Sequence, residues 1–461
     1  MTSPSLDQST PRRRIVIAST GTRGDVQPFC VLGQALARFG HDVVIATEKR
    51  MEAFVTLEYG LGFRCLLDNI GETVYDPALC DVFRSGNILS MMRAVNAWKA
   101  CHWDDKAVLA AYEMALCDAD IVVTTMTTAY ESYCVAEKTG AIWVPVFLGL
   151  VTLPTGDFSF FTMSGLPTFG LRAIKKWTHA LVWRQVWQEK AATINPWRQT
   201  TLQLPPIQGS NGLVQLIEEN AAITFYQACS LLLFGAKGTF PSDYVPGKVV
   251  YTGFLFPDPT PTSSDALKAF LKQDDDIPVI YVGFGSMPTM TPSALLHLLV
   301  HVCRTAKCRC VFVTGWSSVD THECQALIQA NTDVLCVESQ VCHAWLFPQM
   351  RCIVHHAGVG TTAAAMRSGV PQVPCPVIFD QFANAAEIVA LGVAPCVIPN
   401  SKLSATAVSH AVEKVLRNHD NIRAKAASVA ETVQQESHEA VNRLCRAILS
   451  TPPTFAAAER A

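Results

Sequence analysis

Short apolar runs alternate with glycine turns and helical stretches along this chain, and the alternation predicts a parallel α/β fold. Residues 14–19 form a run rich in β-branched side chains, and the glycine-rich loop 20–27 follows it. A helical pattern spans residues 28–39, where Pro28 suits the first turn, and a second apolar run occupies residues 41–47. Strand, loop, helix and strand in this order predict one βαβ unit of a parallel sheet.

The alternation continues in two separate halves of the chain. In the first half, further strand-like runs lie at residues 119–125, 141–147 and 222–226. In the second half, such runs lie at residues 278–286, 309–315, 333–338, 352–356 and 372–377. A segment rich in Pro, Gly, Ser and Thr separates the halves and is typical of a linker. We therefore expect two Rossmann-like domains whose parallel sheets face each other across a cleft.

The predicted domain boundaries follow from these halves. We expect an N-terminal domain at residues 12–240, a linker at 241–264 and a C-terminal domain at 265–430. Residues 431–461 are expected to form a C-terminal helix and tail, with the helix a candidate to pack back on the first domain. A chain of 461 residues is also too long for one ordinary core. Ligands of such sheets bind beyond the C-terminal ends of the strands, so a site is expected in those loops.

The composition argues against several classes of protein. Apolar residues make up 49% of the chain, charged residues make up 16%, and the formal net charge is −3. This balance provides no basic surface for nucleic acid, so no nucleic-acid partner is expected. The 17 cysteines are dispersed and form no CxxC pair. We therefore interpret the group Cys303, Cys308 and Cys310 as reduced structural thiols, and we predict no metal site.

The sequence also bears on the location of the protein. Residues 1–11 are polar and rich in Ser, Thr and Pro, and they lack the apolar core of a secretory signal. No run of about 18 apolar residues is present that could cross a membrane. We expect a cytoplasmic protein, and both peripheral membrane contact and the oligomeric state stay open.

The segment 354–385 is the most informative part of the chain. A strand is expected to end at His356, a glycine turn follows, and a helix is expected to open at Thr361 and Thr362. The exposed backbone N–H groups of a helix start suit a diphosphate, and Gly358 and Gly360 let phosphate oxygens approach closely. The His356 ring and the two threonine hydroxyls add donors that could replace a divalent metal. A glycine turn also joins strand to helix in proteins without such a site.

Two neighbouring residues, Asp380 and Gln381, follow the strand-like run that ends at residue 377. A carboxylate beside an amide is suited to binding sugar hydroxyls, and the position places both at the C-terminal edge of a strand. The same pair also occurs in ordinary surface loops.

The loop 20–28 is the N-terminal counterpart of this segment. Asp25 lies at the end of the loop, and a carboxylate beside a helix start is expected to stay ionised, as a general base requires. The alternative role for Asp25 is an N-terminal helix cap. Arg23 could orient a substrate or pair with a surface carboxylate. The remaining loop residues expected near the substrates are Gly21, Thr22 and Gly24.

These motifs together resemble those of the GT-B fold glycosyltransferases of the sterol 3-beta-glucosyltransferase and UDP-glycosyltransferase type. His356, the Gly-Val-Pro at 369–371 and the pair at 380–381 follow that family's donor-binding signature in register. The loop 20–28 resembles the signature of its sterol and macrolide branches, whose aspartate is the proposed base. The resemblance covers residues 14–444 and assigns Asp25 as the catalytic residue.

Further segments extend the resemblance. Ser286, within 283–287, matches a loop that reaches the donor phosphates in the family, and residues 194–206 resemble a run that borders the acceptor pocket. The aromatic residues of segment 158–206 are either core or part of a pocket for a lipid-like acceptor. The resemblance implies an α/β protein that uses no cofactor and takes a UDP-sugar as co-substrate.

Several positions depart from the family pattern. Ala357 stands where the family usually has glycine, and Ala364 stands where plant relatives carry a ribose-binding glutamate. Residues 341–347 have cysteine and alanine in place of a usual proline and aspartate, so no nucleobase contact is assigned. Trp345 and Phe347 in this run are either core residues or a surface on which the base stacks.

The resemblance implies an inverting transfer of a hexose, glucose from UDP-glucose, to a hydroxyl of a hydrophobic small molecule such as a sterol or secondary metabolite. A second interpretation is a nucleotide-sugar epimerase, which shares the fold but needs no acceptor pocket. A third is a nucleotide-sugar-binding protein without catalysis, against which Asp25 is the main argument.

Overall fold

A computed structural model describes residues 11–67, 103–164, 167–235, 238–258, 264–273, 276–287 and 289–455, and the single positions 82, 90, 93, 94, 97, 98 and 101. The polar N-terminus, the end of the C-terminal tail and residues 259–263 of the predicted linker lie outside the described residues.

The first half of the chain forms a seven-stranded sheet in the order β3-β2-β1-β4-β5-β6-β7, and all of its pairs are parallel. The strands are β1 (Arg14–Ala18), β2 (Asp42–Glu48), β3 (Gly62–Leu67), β4 (Ile121–Thr124), β5 (Ile142–Phe147), β6 (Phe225–Gln227) and β7 (Val249–Tyr251). Their continuous apolar runs fit a sheet that is covered on both faces. Because β7 lies within the residues predicted as linker, that part of the linker belongs to the first sheet.

The helices of this half cover both faces of the sheet. They are α1 (Arg23–Arg38), α2 (Asp105–Leu116), α3 (Ala129–Thr139), α4 (Arg172–Trp197) and α5 (Leu213–Glu219). The predicted start of α1 at Pro28 is wrong, because Thr22 and Asp25 form a capping box that begins the helix at Arg23. Pro28 therefore lies inside the helix, where it lacks the N–H that would bond the Gly24 carbonyl.

The second half forms a five-stranded parallel sheet in the order β10-β9-β8-β11-β12. Its strands are β8 (Val279–Gly283), β9 (Arg309–Val313), β10 (Leu335–Glu338), β11 (Cys352–His355) and β12 (Gln372–Pro374). Its helices are α6 (Asp265–Leu271), α7 (Pro292–Ala306), α8 (His322–Gln329), α9 (His343–Leu346), α10 (Val359–Ser368), α11 (Gln381–Ala390), α12 (Ala405–Arg417) and α13 (His419–Ser437). The expected fold of two Rossmann-like parallel sheets is confirmed.

The last helix, α14 (Ala440–Leu449), returns to the first half of the chain. Leu444, Cys445 and Ile448 are fully buried in the apolar core between the first sheet and α1. The backbone N–H of Trp143 donates to Oγ1 of Thr454 at 2.8 Å, which fixes the chain beyond the helix to β5. The C-terminal helix thereby ties the two halves together.

A separate apolar cluster joins the two halves directly. Leu150 and Phe254 from the first half pack in it with Ala357, Ile388 and Val433 from the second. This cluster packs the two halves against each other.

Two further properties concern cysteines and membranes. Cys303, Cys308 and Cys310 are buried, and the cysteines in the described part of the chain form no disulfide. Among the helices that the structure describes, none has both the length and the apolar character needed to cross a bilayer.

Candidate active site

The glycine loop after β1 is held by a buried ion pair. Gly21 has a φ of +134°, and its N–H donates to Oε1 of Glu48 at 3.0 Å. Arg50 donates from Nε to Oε2 of Glu48 at 2.6 Å and from Nη2 to the Gly21 carbonyl at 2.7 Å. Glu48 is almost completely buried at the end of β2, which lies next to β1 in the sheet. The sequence pattern predicted a strand at residues 41–47. It gave no sign that Glu48 and Arg50, which follow this run, hold the Gly21 loop.

Asp25 occupies the third position of α1 and caps the helix. Its Oδ2 accepts from the Thr22 backbone N–H at 2.7 Å and from Oγ1 of Thr22 at 3.1 Å. A Cβ at Gly21 would come within 2.4 Å of this Oδ2, so the close approach requires glycine. Asp25 thus takes part in capping as the third residue of a capping box, whereas the N-cap residue predicted as its alternative role is Thr22. Both of these bonds use Oδ2, and among the described residues no hydrogen bond to Oδ1 is seen.

The pKa of Asp25 differs from the expectation of a carboxylate held ionised by the helix start. Burial raises its pKa above the usual value, and the charge of Glu48 raises it further. The hydrogen bonds from Thr22 and the charge of Arg50 oppose this rise but do not cancel it. Desolvation therefore outweighs the stabilisation of the charged form that was expected from the helix start.

Arg23 pairs with a carboxylate, which is one of its two predicted roles. Its Nη2 lies 3.2 Å from Oε2 of Glu58, and its guanidinium lies 4.6 Å from the centre of the Phe54 ring. The pKa of His343 is lowered mainly by burial and also by the charge of Arg23. Arg23 therefore lies close to the C-terminal half.

His356 lies in a narrow space between two glycines. A Cβ at Gly285 would come within 3.0 Å of its Cε1, and a Cβ at Gly358 would come within 2.4 Å of its Nε2. Its Nδ1 is buried and has no hydrogen-bond partner in the part of the chain that is described. Burial lowers the pKa of His356 to about 4, so the ring is neutral at pH 7. A neutral imidazole can still donate one hydrogen bond to a phosphate.

The neighbouring His355 has a structural role. Its Nδ1 accepts from the Ala357 N–H at 3.2 Å, so its Nε2 carries the proton and donates to Oε1 of Gln372 at 2.9 Å. Asn384 donates from Nδ2 to the Ala357 carbonyl at 3.0 Å. Ala357 has a φ of +62°. These bonds hold Ala357 in a left-handed conformation that favours the family's usual glycine.

The helix after this turn begins at Val359, two residues before the predicted start at Thr361 and Thr362. Gly358 is its N-cap residue. Thr361 is half-buried, whereas Thr362 is fully buried, and its hydroxyl has no hydrogen-bond partner among the described residues. The backbone N–H groups of the first turn remain the accessible donors of this helix start.

Asp380 and Gln381 begin α11 but present different groups. Oδ2 of Asp380 accepts from Nδ2 of Asn384 at 3.1 Å. Oε1 of Gln381 accepts from the backbone N–H groups of Val377 at 2.9 Å and Ile378 at 3.1 Å. The Gln381 oxygen therefore shapes the loop, and only its amide nitrogen can be offered to a sugar.

The pKa of Asp380 is raised to about 6, first by burial and then by the charge of Asp25. The preceding residue, Phe379, is exposed and has a φ of +49°, a strained conformation for an aromatic side chain. Asp380 follows this residue directly as the N-cap residue of α11.

The two glycine loops meet across the cleft. A Cβ at Gly360 would lie 3.5 Å from Cα of Gly24, although the two residues belong to different sheets. A Cβ at Gly149, after β5, would lie 3.9 Å from Oδ2 of Asp380. The structure therefore brings the predicted residues of the N-terminal loop together with those of the C-terminal segment.

A stacking contact closes one side of this cleft. The guanidinium of Arg50 lies 4.5 Å from the centre of the Trp316 ring, which follows β9 in the second half. Arg50 thus links the Gly21 loop to both sheets.

Ser286 lies in the turn after β8, beside the glycine that contacts the His356 ring. The Met287 N–H donates to the Phe284 carbonyl at 3.0 Å and closes this turn. Ser286 is half-buried. Its contact with donor phosphates stays a prediction.

Comparison with known proteins gives two domain matches. Residues 15–142 match the N-terminal domain of glycosyltransferase family 28. Residues 320–447 match the C-terminal domain of the erythromycin biosynthesis protein CIII-like family. The chain therefore combines a match to a glycosyltransferase family 28 N-terminal domain with the GT-B fold.

Three similar proteins, one found by sequence and two among solved structures, extend the comparison. A sterol 3-beta-glucosyltransferase of Pichia angusta is 28% identical over 429 residues, which cover 92% of this chain and 32% of that protein. The chain thus spans about a third of that relative's length. Among solved structures, the kitacinnamycin glycotransferase has a TM-score of 0.64 at 18% identity, covering 96% of this chain and all of that one. The calicheamicin glycosyltransferase CalG4 has a TM-score of 0.62 at 16% identity, covering 95% and 98%.

A cavity of about 250 Å³ opens beside the cleft of this GT-B protein. Leu150, adjacent to the glycine whose Cβ would approach Asp380, is one of the residues that line it. Phe158, Phe161 and Phe234 supply aromatic walls. The aromatic residues of segment 158–206 were expected to be either core or pocket, and both kinds are present. Phe158 and Phe161 line the cavity, whereas Trp183 and Trp187 are buried in the core.

Glu387 is a polar group of this cavity that the sequence did not reveal. It lies two turns after the start of α11 and faces the aromatic walls. Burial raises its pKa to about 7.

Phe347, a candidate for base stacking, is completely buried and belongs to the core.

Proposed function

We propose that this chain transfers a hexose, glucose from UDP-glucose, to a hydroxyl of a hydrophobic small molecule with inversion at the anomeric carbon. The observation that carries the proposal is the placement of Asp25, His356 and Asp380 around one cleft. The similar Pichia angusta protein is named a sterol 3-beta-glucosyltransferase, which supports glucose as the sugar.

The chemistry assigned to Asp25 is general-base catalysis. Its carboxylate removes the proton from the acceptor hydroxyl as that oxygen attacks the anomeric carbon. The new bond to the acceptor forms while the bond from the anomeric carbon to the diphosphate oxygen breaks. Burial raises the pKa of Asp25, and a carboxylate with a raised pKa is a stronger base once it is ionised.

The C-terminal half would hold the leaving diphosphate. The first backbone N–H groups of α10 point toward the turn at Gly358, and such N–H groups bind phosphate oxygens. Nδ1 of the neutral His356 ring has no hydrogen-bond partner among the described residues and could donate to or accept from the same group. Asp380 would accept a hydrogen bond from a sugar hydroxyl, and the Gln381 amide nitrogen would donate one. In this scheme the UDP-sugar is the co-substrate, and no cofactor takes part.

The acceptor would enter through the aromatic cavity. Its walls of Phe158, Phe161 and Phe234 suit a ring system of a sterol or secondary metabolite. Because Leu150 lies next to the glycine that faces Asp380, an acceptor in the cavity would approach the sugar with one end.

A mass-spectrometric screen tests the proposal. The purified chain is incubated with several nucleotide sugars and a panel of hydrophobic alcohols and phenols, and glycosylated products are sought. We expect a hexose adduct that the Asp25→Asn variant does not form. Conversion of the donor without any acceptor would identify an epimerase. Donor binding without transfer to any acceptor would identify a binding protein.

A further inference from the structure

Glu387 lines the aromatic cavity with a carboxyl group that no described residue neutralises. Its side chain is half-buried and forms no hydrogen bond or ion pair with any described residue. Burial alone raises its pKa, and no neighbouring cation opposes the rise. The other acid of the cavity, Asp157, is paired with Arg172 and accepts hydrogen bonds from Ser242. Glu387 is therefore the acid that this cavity offers to a bound molecule.

Most other polar side chains of the cavity already have partners. Nζ of Lys175 donates to the Asp157 carbonyl at 3.0 Å, and Oγ of Ser164 donates to the Phe161 carbonyl at 3.0 Å. Ser159 is the one further polar residue of the lining, and its hydroxyl has no partner in the described part of the chain. The other lining residues are leucine and phenylalanine. The cavity is thus apolar with a carboxyl group available at one place.

The stability of the fold does not explain a carboxyl group at position 387. A half-buried carboxyl group in a cavity walled by phenylalanine loses contact with water and gains no partner in the protein, which costs free energy. A leucine would gain free energy from the same surroundings. Apolar pockets with a few polar groups are typical of ligand sites, where such groups fix the orientation of the ligand.

The position of Glu387 on α11 relates it to the cleft. Asp380 is the N-cap residue of this helix, and Glu387 lies seven residues later. Seven residues are close to two full turns, so both residues lie on the same side of the helix, separated by about 10 Å along its axis. Asn384 lies on this side between them and donates to Oδ2 of Asp380. A molecule that starts beside Asp380 and follows this side of α11 reaches Glu387 after a distance on the order of 10 Å.

The protonation state of Glu387 favours a neutral partner. Its pKa of about 7 means that both the protonated and the ionised form are populated at neutral pH. A protonated carboxyl group can donate a hydrogen bond and an ionised one can accept, so a hydroxyl can bond to either form. An ammonium group can bond as a donor, but Lys175 already brings a cation into the lining.

We propose that Glu387 is a specificity-determining residue that binds a second hydroxyl of the acceptor, at the end away from the hydroxyl that receives the sugar. The inference deepens the proposed function and rests on it, because the aromatic cavity must be the acceptor site. The substrate class is a rigid hydrophobic diol whose hydroxyls lie on the order of 10 Å apart. An acceptor with an apolar far end leaves the carboxyl group buried without a partner and binds more weakly.

Calorimetric titration with a matched pair of probes tests the proposal. The probes are biphenyl with one para hydroxyl and biphenyl with a para hydroxyl on each ring, and the full chain is used without donor. We expect the wild type to bind the diol at least about tenfold more tightly than the monohydroxyl probe. Glu387→Leu should abolish this preference by binding the monohydroxyl probe more tightly and the diol more weakly. Glu387→Gln should keep most of the preference, because an amide also accepts and donates hydrogen bonds.

The matched control is Glu431→Leu, an exposed glutamate on α13, which should keep the wild-type preference. The proposal is overturned by a wild type that binds neither probe or both equally, and by a Glu387→Leu variant that keeps the preference or loses affinity equally for both. Tighter wild-type binding of the probe in which an aminomethyl group replaces the second hydroxyl would also overturn it, in favour of a cationic acceptor. Because these outcomes are binding ratios measured without donor, they stand apart from the transfer assay, whose failure would count against the proposed function alone. Circular dichroism establishes that the variants fold, and the wild-type ratio decides even if one does not.

Discussion

Asp25 and Asp380 lie close enough for the charge of Asp25 to raise the pKa of Asp380. Asp25 is the third residue of α1 in the first half of the chain, and Asp380 is the N-cap residue of α11 in the second, 355 residues later. Two carboxylates from separate sheets therefore share one cleft, and each is buried enough to hold its proton more tightly than usual. A sugar and an acceptor bound between them would separate their charges.

Removing the charge of Asp25 should affect both chemistry and titration. We expect Asp25→Asn to reduce kcat by about 100-fold to 10,000-fold, because the general base is lost. Donor affinity should change little at pH 7.5. Donor affinity as a function of pH should begin to change at a lower pH on the acid side, because Asp380 loses the neighbouring charge that raises its pKa.

Kinetics and donor titrations between pH 5 and pH 8 measure these effects. The control is Asp320→Asn, an exposed carboxylate in the second half of the chain. Retention of wild-type turnover by Asp25→Asn would exclude Asp25 as the base.

Asp380 should make the protein less stable at neutral pH. Its folded-state pKa is raised from 3.8 to about 6, so the folded chain binds this proton more tightly than the unfolded chain. The associated stability is present at low pH and is lost as the pH rises through about 6. We therefore expect Asp380→Asn to raise the free energy of unfolding at pH 7.5 by up to about 3 kcal/mol, with a smaller gain at pH 4.5. Urea unfolding at both pH values checks this, and a gain that does not depend on pH would contradict it.

Gly358 and Gly360 form a matched pair at the start of α10. The added Cβ of Gly358→Ala would come within 2.4 Å of Nε2 of His356, so the ring must move. The added Cβ of Gly360→Ala would lie 3.5 Å from Cα of Gly24, an ordinary contact. We expect Gly358→Ala to weaken UDP-sugar binding at least about tenfold, whereas Gly360→Ala binds nearly as the wild type does. Calorimetric titration measures both, and equal affinities would show that the position of His356 does not matter for the donor.

His356 should act on the donor without titrating in the working range. Its pKa is lowered to about 4, so the ring stays neutral from pH 5 upward. We expect His356→Ala to weaken UDP-sugar binding and His356→Asn to restore part of the loss, because an amide can also donate a hydrogen bond. The shape of the pH profile should be the same in all three proteins. A new inflection in the wild type alone between pH 5 and pH 8 would assign that titration to His356.

The positive φ of Ala357 gives a test of stability. Glycine adopts φ = +62° without strain, but Ala357→Gly also loses a buried methyl group, so the two effects should cancel to within about 1 kcal/mol. Ala357→Val places a β-branched side chain in the left-handed region and should cost more than about 2 kcal/mol. Urea unfolding of the two variants measures the difference. A valine variant as stable as the wild type would show that this turn is not held in the left-handed region.

The sequence predicted much of the candidate site because the signals for it are local. Glycine turns at the ends of apolar runs located the loops around Gly21 and Gly358, and the residue types in those loops indicated phosphate and sugar binding. The start of α1 was misplaced at Pro28, because a proline in the first turn is the commoner pattern and the capping box of Thr22 and Asp25 was not weighed against it.

Other features required tertiary contacts. Glu48 and Arg50 hold the Gly21 loop only because β2 lies beside β1, and Asn384 reaches the Ala357 carbonyl only in the folded chain. Glu387 belongs to no sequence motif. It became a candidate residue only because it lines the cavity.

The sequence by itself determined the two α/β halves and the residues at the ends of their strands, because the spacing of apolar positions is set by the local geometry of strands and helices. Only the tertiary structure decided that Asp25 lies close enough to Asp380 to influence its pKa and that burial raises the pKa of both carboxylates. Burial and distance depend on how residues far apart in the chain pack together, and no local pattern of side chains carries that information.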